Sequence, residues 1–219
     1  NHLIAVNKKP SDLSQGDNTG DSALDSEVRK YIARKYNKPG EVFLGLVHRL
    51  DRPVTGLVIF AKTSKVLPRL NDQFKNGEIH KKYWAIVKNC PKVQEDTLDQ
   101  FLYRNEKQNK SYITNTEKSG SKRAILNYKV IGKSDNYYLL EVQLKTGRHH
   151  QIRCQLASIG CPIKGDLKYG YPRSNPDGGI SLHSRSVNFV HPVSGKEIDI
   201  TAPVPENDKI FTYFEKYFQ

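Results

Sequence analysis

The stretch His48-Arg49-Leu50-Asp51-Arg52-Pro53-Val54-Thr55-Gly56 is a polar loop between two short apolar runs, Val42 to Val47 and Leu57 to Ala61. Apolar runs of this length bounded by turn residues read as strands. The loop therefore joins two strands and carries one carboxylate, Asp51, between Arg49 and Arg52. Pro53 restricts the backbone beside that acid, and a fixed turn of this kind can hold one carboxylate at a cleft. On spacing alone the commoner role is a turn aspartate that caps backbone N–H groups.

Working outward, Leu3 to Val6 reads as a strand. After a polar run, Ser22-x-x-Asp25 resembles a capping box, and Leu24, Val28, Tyr31 and Ile32 share one helical face that ends at Asn37-Lys38-Pro39-Gly40. A second helix is expected from about Ser64 to Asn76, with Leu67, Leu70 and Phe74 inward and Gly77 as its stop. From Glu78 the pattern shifts to period two at Ile79, Tyr83, Ala85 and Val87. Further strands are expected near Ser111 to Thr116, Arg123 to Ile131 and Tyr137 to Lys145. A short helix is expected over His150 to Ile159, then strands at Arg185 to Val190 and Glu197 to Thr201. Ile210, Phe211, Phe214 and Phe218 give the tail an amphipathic helix. The pattern predicts an α+β fold: a central, mostly antiparallel mixed sheet flanked by helices and loops, forming a single domain over residues 1–219 with one basic cleft.

The chain has 219 residues, enough to bury a core without a covalent staple. Lys and Arg total 35 against 23 Asp and Glu, a formal charge of +12, and the pI is near 9.5. Such a balance suits a partner rich in phosphate, RNA or DNA. Cys90, Cys154 and Cys161 form no C-x-x-C pair and leave an odd thiol, which argues against a disulfide framework and for a reducing, cytoplasmic setting. Mean hydropathy is −0.66 and no apolar stretch approaches a membrane span. The absence of methionine and a start inside a strand suggest a trimmed N-terminus.

Several chemistries lack their parts. The sequence has no phosphate-loop motif, no G-x-G-x-x-G fingerprint and no G-x-S-x-G nucleophile elbow. The pair His149-His150 with Cys154 does not make a metal site if both histidines lie on a helix, where adjacent side chains point about 100° apart. No metal and no cofactor are expected.

Three segments then resemble the RluA-type pseudouridine synthases, in the same order. The 48–56 loop is similar to H-R-L-D-x-x-[TV]-[ST]-G; Lys81-Lys82-Tyr83-Trp84-Ala85-Ile86-Val87 is similar to K-x-Y-x-A-x-V; and Thr146-Gly147-Arg148-His149-His150-Gln151-Ile152-Arg153 is similar to T-G-R-x-H-Q-[IL]-R. Gly165-Asp166 and Leu182-His183-Ser184 extend the match. Departures are small: Thr55 stands where serine is common, Asn89 where glycine is usual, and His149 fills a variable slot.

The resemblance implies isomerisation of uridine to pseudouridine in ribosomal or transfer RNA, without cofactor or metal. It makes Asp51 the essential carboxylate, as nucleophile at sugar or base or as a base at the sugar, with Arg153 its guanidinium partner. Tyr83 would pack against the target base or help remove the C5 proton, and Arg49 would take the place of an extruded base. Lys62, Arg148, His149, Gln151, Ile152 and Lys164 are expected RNA contacts. The chain is expected to act as a monomer on structured RNA, with no membrane role and no S4-type RNA-binding module in the chain. Two other readings compete: an RNA-binding or folding factor on the same fold, which would release no tritium from C5-labelled uridine, and a carboxylate-based nucleoside hydrolase, which would leave free uracil.

Overall fold

In a computed structural model, residues 2–16, 23–114 and 116–218 are described. The elements in chain order are β1 (Leu3–Lys8), α1 (Leu24–Lys35), β2 (Gly45–Leu46), β3 (Thr55–Ala61), α2 (Val66–Lys75), β4 (His80–Val87), β5 (Glu95–Asn105), β6 (Lys110–Thr114), β7 (Ser121–Lys133), β8 (Tyr138–Leu144), α3 (Gln151–Ser158), β9 (Leu182–Val190), β10 (Glu197–Thr201) and α4 (Lys209–Tyr217). A 3-10 turn, Leu167–Tyr169, follows α3.

The strands form one sheet in the order β1-β3-β9-β4-β8-β7-β5-β6, with β2 on β3 and β10 on β9. Among the described residues only β3 and β9 pair in parallel, so the sheet is mixed and mostly antiparallel. All seven residues of β3 are buried. Leu57, Ile59 and Ala61 pack with Val66 and Leu70 of α2, whereas Val58 and Phe60 join the core formed with Val28 and Ile32 of α1. A strand covered on both faces reads as an unbroken apolar run. In β4, Tyr83, Ala85 and Val87 face the side of Leu50, Ile152 and Leu156, while Trp84 and Ile86 face Phe211 and Phe214 of α4. The alternation therefore sends Tyr83 to the same side as the loop and α3.

Gly56 has φ +109, and a Cβ there would lie 2.4 Å from the Ser184 carbonyl oxygen on β9. The close parallel pairing that carries the loop into β3 therefore requires glycine.

Several boundaries differ from expectation. The strand expected over Val42 to Val47 shrinks to Gly45–Leu46, and β5 was not foreseen. In β5 only Leu98 and Leu102 are buried, while Phe101 and Tyr103 lie on the opposite face, so the eleven-residue strand shows no clean alternation. Ser22 of the expected capping box lies outside the described residues; Ala23 occupies the N-cap, and Asp25 accepts from Arg29 Nη1 at 2.9 Å. α3 begins at Gln151, because His150 adopts a left-handed backbone. No helix of the described residues is long and apolar enough to cross a membrane.

Candidate active site around Asp51

The loop before β3 is fastened along its backbone. Lys8 is 1% exposed, and its Nζ donates to the carbonyl oxygens of Lys9, Arg52 and Val54 at 2.9, 2.9 and 2.7 Å. Ser14 Oγ donates to the Leu50 carbonyl and accepts from the Leu50 N–H, at 3.1 and 3.2 Å. Val54 N donates to the Asp51 carbonyl and Ile180 N to the Pro53 carbonyl, each at 3.0 Å. Every carbonyl from Leu50 to Val54 thus has a partner, which fixes where the Asp51 side chain emerges. Burial pulls the Lys8 ammonium down to about 8, against the opposing pull of Asp12 and Asp51.

Asp51 meets Arg153, 102 residues on, with Nη1 donating to Oδ2 at 3.0 Å. The Asp51 side chain is 29% exposed, whereas that of Arg153 is 5% exposed. Arg153 is anchored from behind by Asp166, to which Nε and Nη2 donate at 2.7 and 2.9 Å. A planar guanidinium suits this bidentate grip, and its third edge is left for Asp51. Burial alone would lower the Arg153 pKa; the hydrogen bonds and charges of Asp166 and Asp51 outweigh it and raise the value. The Tyr169 ring packs beneath, its centroid 5.1 Å from the guanidinium carbon.

His149 and His150 do not splay as they would on a helix. His150 has φ +52 at the N-cap of α3, and the two rings stack with centroids 3.7 Å apart. A left-handed backbone at a non-glycine residue costs about 1–3 kcal/mol and persists only where the surroundings enforce it. His150 Nε2 lies 3.5 Å from Asp51 Oδ2, and burial with the charges of Arg153, His149, Lys168 and Arg104 pushes its pKa down to about 2.

Tyr83 is 5% exposed on β4, beside Ser184 of β9. Burial raises its phenol to about 12; a hydrogen bond with Ser184 opposes that shift and the negative charge of Asp51 adds to it. The phenol therefore keeps its proton at neutral pH, which suits it to stacking on a base or donating a hydrogen bond rather than to acting as a resting base. Together these groups offer a carboxylate held by a fixed cation, beside an aromatic ring.

A family model described as RNA pseudouridylate synthase matches residues 2–158. The chain belongs to the RNA pseudouridylate synthase family. It is 32% identical over 217 residues to ribosomal large subunit pseudouridine synthase D of Zymomonas mobilis, covering 94% of this chain and 68% of that one. It is 35% identical over 206 residues to ribosomal large subunit pseudouridine synthase C of Rickettsia prowazekii, covering 93% and 66%. The uncharacterized RNA pseudouridine synthase YlyB of Bacillus subtilis is 35% identical over 164 residues, covering 74% and 53%. The chain thus spans between about half and two thirds of the lengths of these relatives. The solved structure of human RNA pseudouridylate synthase domain containing 4 superposes with TM-score 0.80 at 21% identity, covering 97% of this chain and 88% of that one, and shares its fold.

Within this pseudouridylate synthase fold, the residues expected to touch RNA separate into groups. Arg49 is exposed and makes no hydrogen bond or ion pair among the described residues. Arg148 is exposed, with Nε donating to the Arg123 carbonyl at 2.9 Å. Lys164 is half-buried, with Nζ donating to Asn175 Oδ1 at 2.6 Å. Gln151 and Ile152 are buried, only 3% and 5% exposed. Gln151 Oε1 accepts from Thr146 Oγ1 and Arg148 N at 2.8 and 2.9 Å, so it shapes the turn before α3 instead of meeting solvent. His149 is held at both ring nitrogens, by Ser111 Oγ at 2.9 Å and Asn109 Oδ1 at 3.1 Å. Lys62 follows the end of β3 remote from the loop, about 20 Å along the strand by six residue steps. There it lies 4.5 Å from the Tyr36 ring.

Sequence reasoning assigned no role to Asp166, His150, Tyr169 or Lys8. The first two lay inside quoted motifs, so the signal was present but without geometry. Lys8, a charged residue closing the first strand just before Lys9-Pro10, gave no sign of its burial.

Proposed function

We propose that this chain isomerises uridine in structured RNA to pseudouridine, with Asp51 as the essential carboxylate. The reaction breaks the bond between uracil N1 and ribose C1′, turns the base, joins C5 to C1′, moves a proton onto N1 and releases the one on C5. It is redox-neutral, so an ionised carboxylate and proton transfers account for it. Whether the carboxylate acts at C1′, at C6 or on a sugar proton, it must be aimed, which is what Arg153, itself held by Asp166, supplies.

The observation that carries this reading is the Asp51–Arg153–Asp166 chain of ion pairs, in which a buried guanidinium held at the back presents an Nη1 N–H to a partly exposed carboxylate. A stacked uridine hides C1′ and C5, so the nucleotide must leave its stack to reach Asp51. Arg49, exposed and two residues before Asp51, would occupy the gap, and Tyr83 would lie against the extruded base. Ribosomal RNA of the large subunit is the substrate class we favour, on the names of the relatives and the excess of cationic residues. The experiment compares cells carrying the wild type with cells carrying Asp51→Asn, mapping pseudouridine in ribosomal and transfer RNA by chemical adduct and primer extension. Loss of specific stops in ribosomal RNA supports the reading; unchanged stops refute it, and loss confined to transfer RNA refutes the substrate class.

A further inference from the structure

The two ring nitrogens of His150 face different partners. Nδ1 lies 3.0 Å from the Tyr169 hydroxyl, and Nε2 lies 3.5 Å from Asp51 Oδ2. The Tyr169 oxygen already accepts the Ser111 backbone N–H at 2.9 Å, so its own proton is available to donate. Among the described residues the hydroxyl has no other acceptor than His150 Nδ1. Tyr169 therefore donates to Nδ1, and the imidazole carries its single proton on Nε2, facing Asp51. The ring cannot turn away, because His149 stacks on its face and is itself pinned by Ser111 and Asn109.

The carboxylate is used asymmetrically. Arg153 Nη1 and His150 Nε2 both address Oδ2, and Oδ1 has no partner among the described residues. We propose that His150 is a positioning residue for Asp51: fixed by Tyr169 with its proton on Nε2, it presents an N–H to Oδ2, so that Oδ2 is the anchored oxygen and Oδ1 the one that meets the uridine. This inference rests on the reading of Asp51 given under Proposed function. The separation of 3.5 Å in the free protein is longer than a normal hydrogen bond, and contacts of this kind tighten when substrate fills a site. A neutral ring suits the task, since it orients the carboxylate without offering it a proton. The left-handed backbone at residue 150 is what swings this ring out of the helical direction and toward Asp51.

The test uses the chain with [5-3H]uridine-labelled, unmodified large-subunit ribosomal RNA transcribed in vitro, measuring kcat and KM from tritium release. His150→Asn keeps a residue that tolerates the left-handed backbone and withdraws the donor. His150→Gln returns an amide N–H near the Nε2 position. The expected result is a kcat lower by about tenfold or more in His150→Asn with little change in KM, the worth of one hydrogen bond to a charged group, and substantial recovery in His150→Gln. Imidazole 15N shifts should place the wild-type proton on Nε2, and Tyr169→Phe should shift it partly to Nδ1. Wild-type kcat in His150→Asn, or a wild-type proton on Nδ1, overturns the proposal even where Asp51→Asn is inactive. Activity surviving in Asp51→Asn overturns the underlying reading instead. Should the His150 variants fail to fold, the 15N result on the wild type decides.

Discussion

Asp166, 1% exposed, holds Arg153 through two bonds, Nε to Oδ2 at 2.7 Å and Nη2 to Oδ1 at 2.9 Å. Removing one member of a buried ion pair leaves the other charge uncompensated, at a cost of about 3–5 kcal/mol. Asp166→Ala is therefore expected to lose stability on that scale in urea unfolding and to abolish activity. Wild-type stability in that variant would show that the pair contributes nothing.

Lys8→Met keeps the length of the side chain and removes the ammonium from three carbonyls. Arg52 keeps a second donor, the Ser11 N–H at 3.1 Å, so the Val54 and Lys9 carbonyls are the ones left exposed to an apolar tip. An unsatisfied buried acceptor costs about 1–3 kcal/mol. Relief from burying a charge offsets part of that, so kcat is expected to fall more steeply than the urea midpoint. A variant with full activity would contradict the clamp.

Acid should destabilise the fold before the carboxylates titrate. Burial lowers His48 to about 3, with a further contribution from Lys81, and lowers His183 to about 4, partly opposed by the Ala202 carbonyl. Each folded value lies below the ordinary 6.5, so between those values the unfolded chain binds more protons. Stability is full above pH 6.5 and falls as pH drops toward the folded values, by on the order of 1 kcal/mol per unit for each histidine. Urea midpoints from pH 7 to 5 should fall in the wild type and fall less in His183→Gln. An equal slope in both would contradict this account.

Much of the fold was legible because burial on one or two faces writes a period into the chain. The unbroken run of β3, the alternation of β4 and the helical spacing of Phe211 and Phe214 all appear as elements. β5 was not legible, since Leu98 and Leu102 alone are buried on one face while the other mixes Thr97 and Asp99 with Phe101 and Tyr103, which blurs the alternation. In the site, the meeting of Asp51 and Arg153 was expected only through the family resemblance, for no local pattern links residues 102 apart. The direction of the His150 ring was misread because one left-handed residue undoes the helical geometry assumed for it. The burial of Gln151 and Ile152 was not legible either, since a motif does not say which of its side chains face inward.

Arg49→Ala tests the RNA-facing role of a residue that makes no hydrogen bond or ion pair among the described residues. Its unfolding free energy from urea titration should match the wild type within about 0.5 kcal/mol, as for surface substitutions generally. Turnover on duplex-embedded uridine should fall more than turnover on uridine in an unpaired loop. An equal loss on both substrates would remove Arg49 from base extrusion.

The most direct test incubates the purified chain with [5-3H]uridine-labelled ribosomal RNA and counts tritium released against pseudouridine formed. The wild type is expected to release one tritium per pseudouridine, and Asp51→Asn, still folded and still binding RNA, to release none. Release undiminished by Asp51→Asn, or wild-type binding without release, would contradict the account.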